Sequence, residues 1–116
     1  GDIFPIHGAT MTPMRPQTHQ GDKSRCFPSE ERSKPSPEWN HYRITCQDGS
    51  LRLAVNGHEV SGGDKCTWRK GYIALESEGG TVDWRNIRVK ELPPSGAGPG
   101  ARSRSSAGWR CRARPT

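Results

Sequence analysis

The sequence predicts an antiparallel all-β domain, a sandwich in preference to a barrel, and three observations carry that prediction. Apolar and polar residues alternate over short stretches after Trp39, and turn-forming pairs punctuate those stretches. No stretch shows a helical period of any length. The 116 residues leave room for one domain at most. Ile, Leu, Val and Phe total 15, of which 11 lie between Tyr42 and Leu92, while residues 7–41 hold only Phe27. A core is therefore expected in the second half, and residues 7–38 read as mostly loop.

Each element follows from its residues. Ile3, Phe4 and Ile6, interrupted by Pro5, suit a terminal or edge strand. Tyr42, Ile44 and Cys46 alternate with Arg43 and Thr45, Gln47-Asp48-Gly49-Ser50 turns the chain, and Leu51, Leu53 and Val55 alternate with Arg52 and Ala54. Asn56-Gly57 tolerates positive φ at both centres of a two-residue hairpin, so His58 to Ser61 returns as the third strand of a meander. Ser61-Gly62-Gly63-Asp64 then breaks the chain, and a loop runs to Lys70. Gly71 to Ser77 is expected as a fourth strand with Ile73 and Leu75 facing the core, and Gly79-Gly80 turns it. In Thr81 to Leu92, Val82 and Trp84 share one parity and Ile87 and Val89 the other. Keeping all four in the core needs a β-bulge near Arg85-Asn86. Pro93-Pro94 stops this fifth strand. The domain is expected to span residues 1–94. Gly, Ala, Arg, Ser and Pro fill 19 of the 22 positions in residues 95–116, which read as a disordered tail.

Charge and cysteine spacing exclude several functions. The net charge is +6, but residues 101–116 hold five arginines and no acid. Residues 1–100 carry 13 Lys and Arg against 12 Asp and Glu. No basic stripe with interleaved aromatics stands on a folded element, so nucleic acid is not an expected partner. No apolar run is long enough to cross a bilayer, and the chain opens at Gly1 with no leader, as a truncated N-terminus would. Cys26, Cys46, Cys66 and Cys111 lack metal-ligand spacing, and His7, His19, His41 and His58 do not supply it. No metal or cofactor is expected. Cys46 sits on the apolar strand face, where a buried free thiol is expected.

Parity gathers chemistry on the opposite face. With Ile73 and Leu75 inward, Tyr72, Ala74, Glu76 and Glu78 point outward, as do Thr81, Asp83, Arg85, His41, Arg43 and Thr45. Carboxylates two apart on a strand can serve as an acid and a base in glycosidic chemistry, or hold sugar hydroxyls. The same residues equally describe the solvated face of an antiparallel sheet. Trp84 is expected in the core, and Trp39 is free to stack on a sugar ring.

Four stretches, in order, resemble one family. They are Pro37-Glu38-Trp39-Asn40-His41-Tyr42-Arg43-Ile44, Leu53-Ala54-Val55-Asn56-Gly57, Gly71-Tyr72-Ile73-Ala74-Leu75-Glu76-Ser77-Glu78-Gly79-Gly80, and Trp84-Arg85-Asn86-Ile87-Arg88-Val89-Lys90-Glu91-Leu92. Together they are similar to the C-terminal half of the 3-keto-disaccharide hydrolase family, with Trp84 in place of its usual phenylalanine. The resemblance covers residues 37–92. It implies a concanavalin A-like jelly-roll β-sandwich, here incomplete for want of N-terminal strands, with its core faces half uncovered. It further implies hydrolytic or eliminative cleavage of 3-keto-glycosides or disaccharides, with the carbohydrate substrate on the concave sheet. Glu78, Glu76 and His41 are the candidate catalytic residues, and Arg85, Tyr72, Arg43 and Trp39 the candidate sugar-binding residues. Arg85 is equally suited to brace the expected bulge. The alternative expectation is a non-catalytic, glycan-binding sandwich of the concanavalin or laminin G kind. An extracytoplasmic setting, periplasmic or secreted, is the expectation for the parent protein, while the oligomeric state is left open.

Overall fold

A computed structural model describes residues 1–15, 24–67 and 69–95. The strands are β1 (Thr12–Pro13), β2 (Tyr42–Gln47), β3 (Ser50–Val55) and β4 (His58–Asp64). They form one antiparallel sheet in the order β1-β4-β3-β2. Among the described residues this is consistent with part of a sandwich or jelly roll, and it is neither a closed barrel nor a full sandwich. The expected three-strand meander is its centre.

Both hairpins rest on the chemistry of their turns. Asp48 and Gly49 have φ of 50° and 81°, and Asn56 and Gly57 have 49° and 85°. Positive φ at both central residues matches the right-handed twist of the flanking strands, and an Asx-Gly pair adopts it with least strain. Asn56 does more than turn the chain. Its Oδ1 accepts from the His41 amide at 2.9 Å, and its Nδ2 donates to the Arg32 carbonyl at 2.7 Å and to Asn40 Oδ1 at 2.9 Å. Asn40 in turn accepts from the Lys34 amide and donates to the Lys34 carbonyl. The approach to β2 is thereby fastened to the far end of its own hairpin.

The pairings Leu53 with Ser61 and Ala54 with Glu59 leave Val60 as an extra residue in β4. This bulge lets Val60 and Ser61 both be buried although they are adjacent. Its disturbed edge is satisfied by the loops: the Val60 carbonyl accepts from Ser29 N at 2.9 Å and from an Arg15 guanidinium nitrogen at 2.6 Å. The same Arg15 nitrogen lies 2.7 Å from the Phe27 carbonyl. Leu51, Leu53, Val55 and Val60 form the core together with Ile3, Met11, Cys26 and Cys66.

Several expectations are corrected. Residues 71–77 and 81–92 form no strand, so no bulge arises at Arg85-Asn86, and Asn86 instead takes a φ of 55°. Their apolar side chains lack the cover parity had assigned them: Ile73, Leu75, Trp84, Ile87 and Val89 are exposed. Residues 1–6 contribute only a bridge, Ile3 with Cys26, rather than a strand. Residues 7–38 do more than loop, because Met11 and Cys26 roof the sheet and β1 pairs with β4. Cys46 is exposed, not buried. It does lie on the apolar face, opposite Leu51, but β2 ends the sheet, and the roof from Ile3, Met11 and Cys26 stands over β3 and β4. Ile44, opposite Leu53, is 47% exposed for the same reason. The expected tail beyond residue 95 lies outside the described residues.

Two glycines in β4 permit close approach. A Cβ on Gly62 would stand 2.7 Å from the Leu51 carbonyl, and one on Gly63 would collide with Met11 Sδ. A thioether can swing aside, whereas a paired strand carbonyl cannot. Gly62→Ala is therefore expected to destabilise by about 1–3 kcal/mol and Gly63→Ala by less, read as urea midpoints. Thiol labelling of a Cys111→Ser chain is expected to modify Cys46 at once, and Cys26 and Cys66 only as the protein unfolds.

Candidate functional site

The polar face of the meander is built by alternation. Arg43 lies opposite Ala54, which lies opposite Glu59; Thr45 lies opposite Arg52, which lies opposite Gly62; Gln47 lies opposite Ser50. Its charges are mixed, Arg43 and Arg52 standing with Glu59 and Asp64. Arg52 is its anchor. Its guanidinium donates to the Leu51 carbonyl at 2.9 Å, the Gly63 carbonyl at 3.1 Å and Asp64 Oδ1 at 3.0 Å, and it lies 3.9 Å from Glu59. Asp64 Oδ1 also accepts from the Ser50 hydroxyl at 2.6 Å. The Ser50 hydrogen bond first, then Arg52, lowers the Asp64 pKa from its ordinary value. Burial first, then the nearby Asp64 carboxylate, raises the Cys66 pKa, so this thiol stays protonated.

Of the candidate residues, Arg43 stands on this face as parity requires. His41 is exposed just before β2, its backbone bonded to Asn56. Trp39 and Arg85 are brought together, the guanidinium carbon lying 4.0 Å from the ring centroid. Tyr72, Glu76 and Glu78 are exposed on the segment between Lys70 and Leu92, Tyr72 at 95%. No strand aligns these three with Arg43. Arg52, Glu59 and Asp64 went unread in the sequence. Gly62-Gly63 looked like a break, yet β4 runs through both glycines to Asp64, and that continuity puts its carboxylate beside Arg52. Among the described residues no group of three or more His, Cys, Asp or Glu is arranged to hold a metal ion.

An antiparallel sheet with one face roofed by loops and a mixed-charge face turned outward is consistent with a partial β-sandwich. The chain belongs to the family of 3-keto-alpha-glucoside-1,2-lyase-like domains, whose profile matches residues 2–90. The match takes in the proline-rich first segment, the first three motifs and the fourth as far as Lys90. No curated protein and no solved structure matches the chain. The family assignment points to a carbohydrate-related domain. No helix among the described residues is long and apolar enough to cross a membrane.

The lowered Asp64 pKa has a sign. Its contribution is present above the unfolded value of 3.8 and is lost as pH falls through the lower folded value. Because Asp64 is half exposed, the contribution is about 0–1 kcal/mol. Urea midpoints measured between pH 6 and pH 2 are expected to decline below about pH 4. Asp64→Asn should lower the midpoint at pH 6 and make that decline shallower.

Proposed function

We propose that this is a carbohydrate-active domain of the hydrolase or lyase kind, acting on 3-keto-glycosides and supplying the C-terminal half of a jelly-roll sandwich. The family match over residues 2–90 carries the reading. The mixed-charge face of the meander supports it, since arginines and carboxylates side by side offer donors and acceptors to sugar hydroxyls.

The chemistry follows from the ketone. A C3 carbonyl acidifies the C2 hydrogen, so a carboxylate can remove that proton. The C2–H electron pair becomes the C1–C2 double bond, the C1–O bond breaks, and the departing oxygen takes a proton from an acid. Addition of water across the new double bond turns this elimination into net hydrolysis. Glu78 is assigned as acid or base, with Glu76 and His41 as the other candidates. Arg85, Tyr72, Arg43 and Trp39 are assigned to hold the sugar. Arg85 covers one face of the Trp39 ring, so a sugar ring would stack on the other.

One observation favours a second reading, a glycan-binding module without catalysis. All seven candidate residues are exposed, and binding, unlike proton transfer at carbon, gains little from a dry site. Glu78→Gln separates the two. The catalytic reading expects turnover of a 3-keto-glycoside to fall by about 10²–10⁴-fold, with affinity by calorimetry within a few-fold of the parent. Sugar binding by a parent that never turns the sugar over supports the module reading instead.

A further inference from the structure

The turn between β3 and β4 is also a chemically reactive pair. In an asparagine followed by glycine, the next amide nitrogen can attack the side-chain carbonyl carbon, because glycine has no Cβ to obstruct the approach. Asn56-Gly57 is the one such pair in the chain. Asn40 is followed by His41 and Asn86 by the β-branched Ile87, both of which hinder ring closure. Gly57 is exposed, and a Cβ built there would meet nothing within 4 Å, so water reaches the pair.

The fold holds the reactive amide by every polar group it has. Asn56 Oδ1 accepts from the His41 amide at 2.9 Å, while the two Nδ2 hydrogens go to the Arg32 carbonyl at 2.7 Å and to Asn40 Oδ1 at 2.9 Å. The Asn56 amide itself donates to the His41 carbonyl at 2.8 Å. Cyclisation must swing Cγ onto the Gly57 nitrogen and expel Nδ2, which breaks all three side-chain bonds. Each slows the step by roughly twofold to tenfold if it must open first. The β2–β3 turn holds no equivalent. Asp48 presents a carboxylate, a poorer electrophile than an amide, and Ser95 donates to it through its amide and hydroxyl.

We propose that Asn56 is a modification site, locked by this latch in the folded chain and deamidated when the latch opens, so that unfolding leaves a covalent mark. The Gly57 nitrogen attacks Asn56 Cγ and the new C–N bond closes a succinimide ring. The Cγ–Nδ2 bond breaks, and the Gly57 amide proton leaves on Nδ2 as ammonia. Water then adds to one ring carbonyl and cleaves its C–N bond, giving aspartate, or isoaspartate with the main chain routed through the side chain. Neither product can close the latch again. A carboxylate at position 56 has no N–H, so it sets an oxygen against the Arg32 carbonyl and Asn40 Oδ1, both acceptors. Asn40 cannot turn its amide to help, since its Oδ1 already accepts from the Lys34 amide and its Nδ2 donates to the Lys34 carbonyl. Isoaspartate also lengthens the main chain inside a two-residue turn, and that turn sets the β3–β4 register.

The test incubates the full chain at mildly alkaline pH, in buffer and in guanidinium chloride beyond its unfolding midpoint. Peptides carrying Asn40, Asn56 and Asn86 are followed by mass spectrometry, and isoaspartate is scored with an isoaspartyl carboxyl methyltransferase. In denaturant Asn56 is expected to convert roughly tenfold faster than Asn40 or Asn86, and Gly57→Ala to remove that advantage. In buffer Asn56 is expected to convert at least roughly tenfold more slowly than in denaturant. Asn40→Ala, which takes away one acceptor, is expected to speed conversion in buffer several-fold more than Gly62→Ala, a change that weakens the sheet and leaves the latch intact. Asn56→Asp is expected to unfold at a lower denaturant midpoint than the parent. Conversion of Asn40 or Asn86 as fast as Asn56 would overturn the site. Equal Asn56 rates in buffer and denaturant, or equal acceleration by Asn40→Ala and Gly62→Ala, would overturn the latch, and an unchanged midpoint for Asn56→Asp would overturn the lasting mark.

Discussion

Burial of the inward side chains of β3 is the constraint on which the rest of this structure depends. Leu51, Leu53 and Val55 are each 1% exposed, and each contributes about 1.5–3 kcal/mol by leaving water. A single sheet cannot shield them alone, because the second layer must come from elsewhere. Here it comes from residues distant in sequence: Ile3, Met11 and Cys26 lie over the strands, and Gly63 is bare so that Met11 can cross it. What holds that roof down is polar. Arg15 spans two backbone carbonyls, Arg25 pairs with Asp2 while lying 4.7 Å from the centroids of both Phe4 and Phe27, and Ser61 donates to the Gly1 carbonyl.

The roof is narrow, and that explains where the sheet is unfinished. β3 and β4 are covered, whereas β2 keeps Ile44 and Cys46 partly in solvent, although they share the face of Leu51 and Leu53. Among the described residues, most exposed large apolar side chains therefore lie on β2 and on the segment from Lys70 to Leu92, with Met14 and Trp39 besides.

Function is bound to the same geometry. A carbohydrate site on an antiparallel sheet is a row of side chains from adjacent strands, so it exists only where those strands are paired. Arg43, Arg52, Glu59 and Asp64 already share a face because β2, β3 and β4 are in register. Glu76 and Glu78 belong to a segment with strand-like alternation that forms no strand among the described residues. Arg85 reaches Trp39, just before β2.

The sequence by itself determined the meander: alternation chose the faces, and Asp48-Gly49 and Asn56-Gly57 chose the turns, because both signals act over a few residues. The four motifs after Pro37 were also legible, and the family match over residues 2–90 agrees with them. Alternation could not say that Cys46 would be exposed, since it tells which face a residue occupies and not whether anything lies above that face. Nor could it show that Met11 and Cys26, in a proline-rich stretch, would become core, or that β4 would run through two glycines to Asp64. Periodicity likewise marked residues 71–77 and 81–92 as strands, but a strand needs a partner's backbone as well as its own pattern. Cover and pairing are contacts between residues far apart in the chain, and only the tertiary structure decides them.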